Sequence, residues 1–250
     1  MTWLQCTTPR PDAERRLVCF PHEGGVASFF ARWAEALPGT EVHAACYPGR
    51  AERAAEPCAT DVRHLAGDLA RAVRPLADRP LVLFGHSLGA WIAFETAREL
   101  EAAGSRVCAL VVSGAPAPQT RRTPGTAPGL AGGEFAPAPA DSPAPLLAEP
   151  VLLKLVFPYV QADARMAESY VHRPGPPLNC PVTTLVGAGD PTVTAEDATA
   201  WADLSQGAHQ APVPAGPHRP LAARPPQELV RRLLDGAAGG PERSGPLHRR

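Results

Sequence analysis

Lysine is almost missing from this chain. Lys154 is the single example, so the 24 basic residues are otherwise arginine, and with abundant Ala, Pro and Gly the skew reads as GC-rich coding and not as chemistry. Neither sign of charge is in excess. The 25 acidic residues leave a net charge of −1, which gives no electrostatic basis for binding nucleic acid or an anionic membrane surface. No run reaches the roughly 18 apolar residues that span a bilayer, and residues 1–11 lack the continuous apolar core of a signal peptide, so a cytoplasmic protein is expected. C-x-x-C spacing is absent too. The six cysteines (6, 19, 46, 58, 108 and 180) are scattered, with Cys19 and Cys108 inside strand-like apolar runs, which predicts buried free thiols; no cofactor and no metal are expected.

What the chain does have is an apolar run at 80–84 that ends in Gly-His-Ser-Leu-Gly (85–89) and passes into Ala90, Trp91, Ile92 and Phe94 before Glu95, Arg98 and Glu99. The pattern predicts a strand, a sharp turn and an amphipathic helix. Gly85 and Gly89 remove side chains where strand and helix cross, so that Ser87 can take a strained conformation with its hydroxyl projecting. The amide of Leu88, at the positive end of the following helix, is then aimed at a bound carbonyl. On the motif alone the alternative is a Gly-rich turn whose serine caps the helix.

The rest of the chain alternates strands with helices. Residues 16–22 form a short buried strand running into Glu23-Gly24-Gly25, and a helix follows over about 27–37. A glycine pair after a central strand can turn a backbone amide toward the serine, which makes the amide of Glu23 the candidate second oxyanion donor; a plain connecting turn is the other reading. Residues 41–47 form a second strand, and Val62, Leu65, Leu69, Val73 and Leu76 recur at helical spacing. Residues 107–113 are a further buried strand. Strands of continuous apolar residues separated by helices predict an α/β fold with a mainly parallel sheet covered on both faces.

Over about 115–177 the rhythm stops. Residues 115–150 are dense in Pro, Gly and Ala and read as a loosely structured insertion, while 151–170 are apolar enough for one or two short helices. An insertion after this strand lies over the carboxyl ends of the sheet, which makes it a lid. Leu155 and Tyr159 are candidates to line a substrate channel, with ordinary packing the alternative. Strands at 181–187 and about 209–213, helices at 195–204 and 227–234, and a disordered tail from 237 to 250 complete a single domain over 1–236.

A serine nucleophile needs a base, and the base needs a group to fix its tautomer. Asp190 follows one late strand and His218 follows the next, which gives the order Ser, Asp, His of the α/β-hydrolase sheet. His209, at a strand start, falls toward the wrong end of the sheet, and His86 beneath the turn is expected to pack or hydrogen-bond.

Phe20-Pro-His-Glu-Gly-Gly-Val-Ala-Ser-Phe-Phe30, Tyr47-Pro-Gly-Arg50, Leu83-Phe-Gly-His-Ser-Leu-Gly-Ala90, Val112-Ser-Gly114, Tyr170 to Pro177 and Gly189-Asp-Pro191 through His218 resemble the type II thioesterases of modular polyketide and nonribosomal peptide synthases. The match covers about 15–115 and 159–218. The resemblance implies a discrete α/β-hydrolase that removes stalled or wrong acyl groups from the phosphopantetheine arm of acyl or peptidyl carrier proteins, through an acyl-serine intermediate; a monomer is expected. Two departures stand out. Glu23 occupies a position where the family usually carries alanine, and its carboxylate would oppose an oxyanion if it pointed inward. Gly216-Pro-His-Arg-Pro220 replaces a Gly-Gly-His-Phe-Phe pattern. The alternatives are a small-molecule carboxylesterase on the same fold, or a pseudoenzyme that binds carrier domains without hydrolysing them.

Overall fold

The computed structural model describes residues 2–120, 150–187, 193–207, 210–215 and 231–232. Seven strands form one sheet: β1 (Leu4–Gln5), β2 (Arg15–Phe20), β3 (Thr40–Ala45), β4 (Leu81–His86), β5 (Ala109–Ser113), β6 (Val182–Gly187) and β7 (Gln210–Ala215), in the spatial order β1-β3-β2-β4-β5-β6-β7. All neighbours are parallel except β1 with β3, where Leu4 and Gln5 pair antiparallel to Ala45 and Ala44. That two-residue edge strand makes the sheet mixed and carries no pattern in sequence.

Side chains leave the central strands alternately toward two cores, as the period of two requires. Val18, Phe20, Leu81, Leu83, Leu110 and Val112 face one cluster, while Leu17, Cys19, Val82, Phe84, Ala109 and Val111 face the other. The first face is covered by α2 (Val62–Val73) and α3 (Leu88–Ala102). Asp61 caps α2 by accepting the His64 amide at 2.8 Å, and Val62, Leu65, Leu69 and Val73 form its buried stripe. The second face is covered by a 3-10 turn (Ala27–Phe30) leading into α1 (Ala31–Ala36), where Phe30 and Trp33 pack on Phe84 with ring centroids 6.0 and 4.6 Å away.

The helix expected at 27–37 is therefore part 3-10. The segment from Arg74 to Asp78 and that from Ala200 to Leu204 likewise tighten after α2 and after α5 (Ala195–Thr199). One helix, α4 (Pro150–Ser169), replaces the one or two short helices expected there, and it continues through Pro158. Residues 121–149, the bulk of the stretch read as loosely structured, lie outside the described residues, as do most of the expected helix at 227–234 and the tail. All six cysteines are free thiols; Cys19, Cys46 and Cys180 are buried and the other three partly exposed. Among the described residues no helix is long and apolar enough to cross a membrane.

Candidate active site

The carboxyl ends of β2, β4 and β5 are level: Phe20 pairs with Gly85 and His86 with Ser113. At that edge the chain turns from β4 into α3 through Ser87, whose φ of 53° and ψ of −123° lie where an L-residue is strained, at a cost of about 1–3 kcal/mol. The turn is fixed on three sides. The Ser87 amide donates to Ser113 O at 2.8 Å, and the Ala90 amide donates to Ser87 O at 2.9 Å. A Cβ on Gly89 would run into the carbonyl oxygens of Phe20 and Pro21, and one on Gly85 into the backbone of Gly89 and Ala90, so both glycines are there to let strand and helix approach.

Ser87 is half-buried while every other residue of 81–97 is buried. Its side chain makes no capping hydrogen bond to α3, which removes the reading of a serine that only caps a helix. Leu88 opens α3, so its amide belongs to the first turn, where no carbonyl one turn earlier is available to accept it. Beneath the turn, His86 is buried with Nδ1 3.1 Å from Ser113 Oγ, and its ring meets that of His22 edge-on at 5.8 Å. It packs and hydrogen-bonds, as expected.

The neighbouring loop, residues 21–25, is tied by four hydrogen bonds. The Tyr47 hydroxyl, kept neutral by burial, donates to Pro21 O at 3.1 Å. Gly25 N–H donates to His22 O at 2.8 Å, and Gly24, with φ 71°, donates to Asp163 Oδ2 at 2.9 Å. The Gly25 carbonyl accepts from Arg50 Nη1 at 3.2 Å. The Glu23 amide takes no acceptor among the described residues.

The Glu23 side chain lies within electrostatic reach of Asp163 and Glu168 on α4. Desolvation first, then those two carboxylates, push its acid up to about 7, and its buried Oε1 has no hydrogen-bond partner among the described residues. Near neutral pH this acid is therefore poised between neutral and charged, through its burial first and the two α4 carboxylates second.

Asp163 itself is fully buried and bound by the Arg50 guanidinium through two parallel bonds of 2.5 and 2.6 Å. Tyr159, one turn earlier on α4, is half-buried with the same guanidinium 4.7 Å above its ring. Leu155 lies on α4, with its side chain outside the described residues. Asp190, His209 and His218 also lie outside them. Only one group of possible metal ligands occurs among the described residues, Cys6, Glu41 and His43, at the opposite end of the sheet. Both Glu41 oxygens there already accept hydrogen bonds, from the Arg10 amide, Arg16 Nε and His43 Nε2.

A family model described as a thioesterase domain matches residues 15–235. The chain belongs to the thioesterase family. The Thioesterase PikA5 of Streptomyces venezuelae is 39 % identical over 210 residues, covering 80 % of this chain and 73 % of that protein. Among solved structures, the type II thioesterase BorB from the borrelidin biosynthetic cluster is 36 % identical with a TM-score of 0.78, covering 93 % of this chain and 96 % of its own. RedJ, a thioesterase from the prodiginine biosynthetic pathway of Streptomyces coelicolor, is 31 % identical with a TM-score of 0.75, covering 91 % and 86 %.

The serine turn and the loop facing it are legible in the sequence of this thioesterase, whereas the residues that fasten that loop are not. Arg50 was visible only as the last residue of Tyr47-Pro-Gly-Arg50. Asp163 had one available signal: it stands on the buried stripe of α4 with Met166, just before the buried Tyr170 that follows the helix, where an unpaired acid would not be tolerated.

Proposed function

We propose that this thioesterase hydrolyses acyl groups from the phosphopantetheine thiol of acyl or peptidyl carrier proteins in polyketide or nonribosomal peptide biosynthesis. The observation that carries the reading is Ser87: strained, the one partly exposed residue of its run, and not spent on capping the helix it precedes. In this proposal Ser87 Oγ attacks the thioester carbonyl carbon as His218 takes its proton, with Asp190 orienting the imidazole. The amides of Leu88 and Glu23 hold the resulting oxyanion. The intermediate collapses with cleavage of the C–S bond; the thiolate leaves without the activation an amine would require and takes up the proton held by His218, which restores the neutral imidazole. Water, deprotonated by His218, attacks the acyl-serine, and the ester bond breaks to release the acid while Ser87 regains its proton.

Asp190 and His218 follow closely in sequence on β6 and β7, which run parallel to β4 and so end at the edge that bears Ser87; this supports their assignment. We further propose one domain over 1–236, with α4 and the residues preceding it as a lid and with Leu155 and Tyr159 beside the acyl channel. The family match over 15–235 supports that extent. No cofactor enters the reaction.

The test is incubation with a panel of acyl-loaded carrier proteins, read by intact-protein mass spectrometry. The wild type is expected to return the carriers to the free-thiol mass, and Ser87→Ala to leave them loaded while still folded. Turnover of simple oxygen esters with no carrier hydrolysis would favour a carboxylesterase. Failure of Ser87 to react with a fluorophosphonate would favour a binding protein without activity.

A further inference from the structure

We propose that Asp163 and Arg50 are positioning residues that set the oxyanion loop, so that α4 acts on catalysis through the backbone of residues 23–25. The inference rests on the assignment of the Glu23 amide as an oxyanion donor.

Two observations separate this pair from an ordinary structural ion pair. The first is where its bonds go. Asp163 accepts the Gly24 amide and Arg50 donates to the Gly25 carbonyl, so the two partners hold the peptide units directly after Glu23, in addition to each other. Val160, on the same helix, lies against Gly24 closely enough that a Cβ there would be 3.0 Å from its Cγ2. The loop is therefore held by α4 and by the Arg50 fork that is bound to it. The Glu23 N–H, by contrast with those of Gly24 and Gly25, takes no acceptor among the described residues.

The second is what the chain sustains to place Arg50. Among the described residues two non-glycine positions have positive φ, Ser87 at 53° and Ala51 at 46°. Ala51 directly follows Arg50, and Gly49 directly precedes it with φ 84° and Cys58 packed where its side chain would be. Strain is thus concentrated at the nucleophile and at the residue that turns Arg50 inward. A buried ion pair contributes little net stability compared with an apolar core of the same shape, and its desolvation is offset only by near-ideal geometry. With side chains 2 % and 0 % exposed, this pair is more reasonably explained by the geometry it imposes than by the stability it adds.

The experiment compares wild type with Asp163→Asn and Arg50→Lys on an acyl-N-acetylcysteamine thioester, with rates divided by the concentration of serines titrated at saturation by a fluorophosphonate. A misplaced oxyanion donor lowers kcat while leaving ground-state binding intact. Asp163→Asn is expected to lose 10- to 100-fold in kcat per titrated serine with KM within threefold, and to weaken an acyl trifluoromethyl ketone, which mimics the oxyanion, by a similar factor. Arg50→Lys keeps both charges but gives up the fork, and an intermediate loss of 3- to 10-fold is expected. If Asp163→Asn does not fold, Arg50→Lys alone carries the comparison.

A purely structural role predicts a lower melting temperature and fewer titratable serines, with kcat per serine and ketone affinity within twofold of wild type. That result in a folded variant overturns the inference. Ser87→Ala separates this from the function itself: if it still hydrolyses the thioester, the catalytic reading fails whatever the behaviour at position 163.

Discussion

The α-carbon of Gly89 faces the carbonyl oxygen of Phe20 across a gap too small for a methyl group. This contact between the first turn of α3 and the end of β2 brings the Ser87 turn level with the loop that follows Phe20. Gly89→Ala must push the helix off the strand. It is expected to cost about 1–3 kcal/mol by urea denaturation and, on the proposed roles of Ser87 and the Glu23 amide, to lower hydrolysis at least tenfold as the two move apart. Wild-type turnover in the alanine variant would contradict that coupling.

Ser87 holds its strain through its own backbone, so relief should depend on which residue replaces it. Glycine tolerates φ of 53° and alanine does not. Ser87→Gly is expected to be about 1 kcal/mol more stable than Ser87→Ala, as measured by urea midpoints at constant slope, with both variants inactive. Equal midpoints would mean that the turn is not strained.

Glu23 ties stability to pH. Its acid titrates near 4.5 when unfolded and at about 7 when folded. Between those values the folded chain keeps a proton that the unfolded chain has released. Its contribution is therefore fully present below about 4.5 and is lost as the pH rises through 7. Glu23→Gln, neutral throughout, removes this loss. Relative to wild type the variant should gain of order 1–2 kcal/mol between pH 5 and pH 8, a figure reduced for the partial exposure of the carboxyl. Thermal melts at the two pH values check both the sign and the size.

Tyr170 donates a 2.7 Å hydrogen bond to Glu95 Oε1 in the interior, and Glu95 Oε2 receives Arg98 at 3.2 Å. Burial and the adjacent carboxylate hold the phenol far above its usual range, so it remains a donor. Tyr170→Phe leaves a buried carboxylate oxygen without its partner and is expected to cost about 1–3 kcal/mol, read by urea denaturation.

Local patterns carried much of the fold. The runs that became β2, β4 and β5 are apolar on both faces, and α2 shows its buried stripe at regular spacing, so chemistry within a few residues decides each element. β1 was not legible because Leu4 and Gln5 are a strand only by virtue of pairing with β3. The 3-10 segments were absorbed into neighbouring helices, since spacings of three and of three to four residues are hard to tell apart over one turn. The one or two short helices expected over 151–170 are a single helix that continues through Pro158. The same division runs through the site. The serine turn is written in five consecutive residues, whereas Arg50 and Asp163 lie 113 positions apart and each, seen alone, is an ordinary surface charge. The raised acid of Glu23 is likewise set by burial and by Asp163 and Glu168 on α4, and not by its sequence neighbours.

Every residue of 88–97 is enclosed, so the pedestal under Ser87 has no face from which to fray. Amides in such a helix exchange with solvent only when the whole domain opens. Reactivity at the serine should consequently persist undiminished on heating until the cooperative transition and then vanish with it, making covalent labelling of this one side chain a direct report on global unfolding.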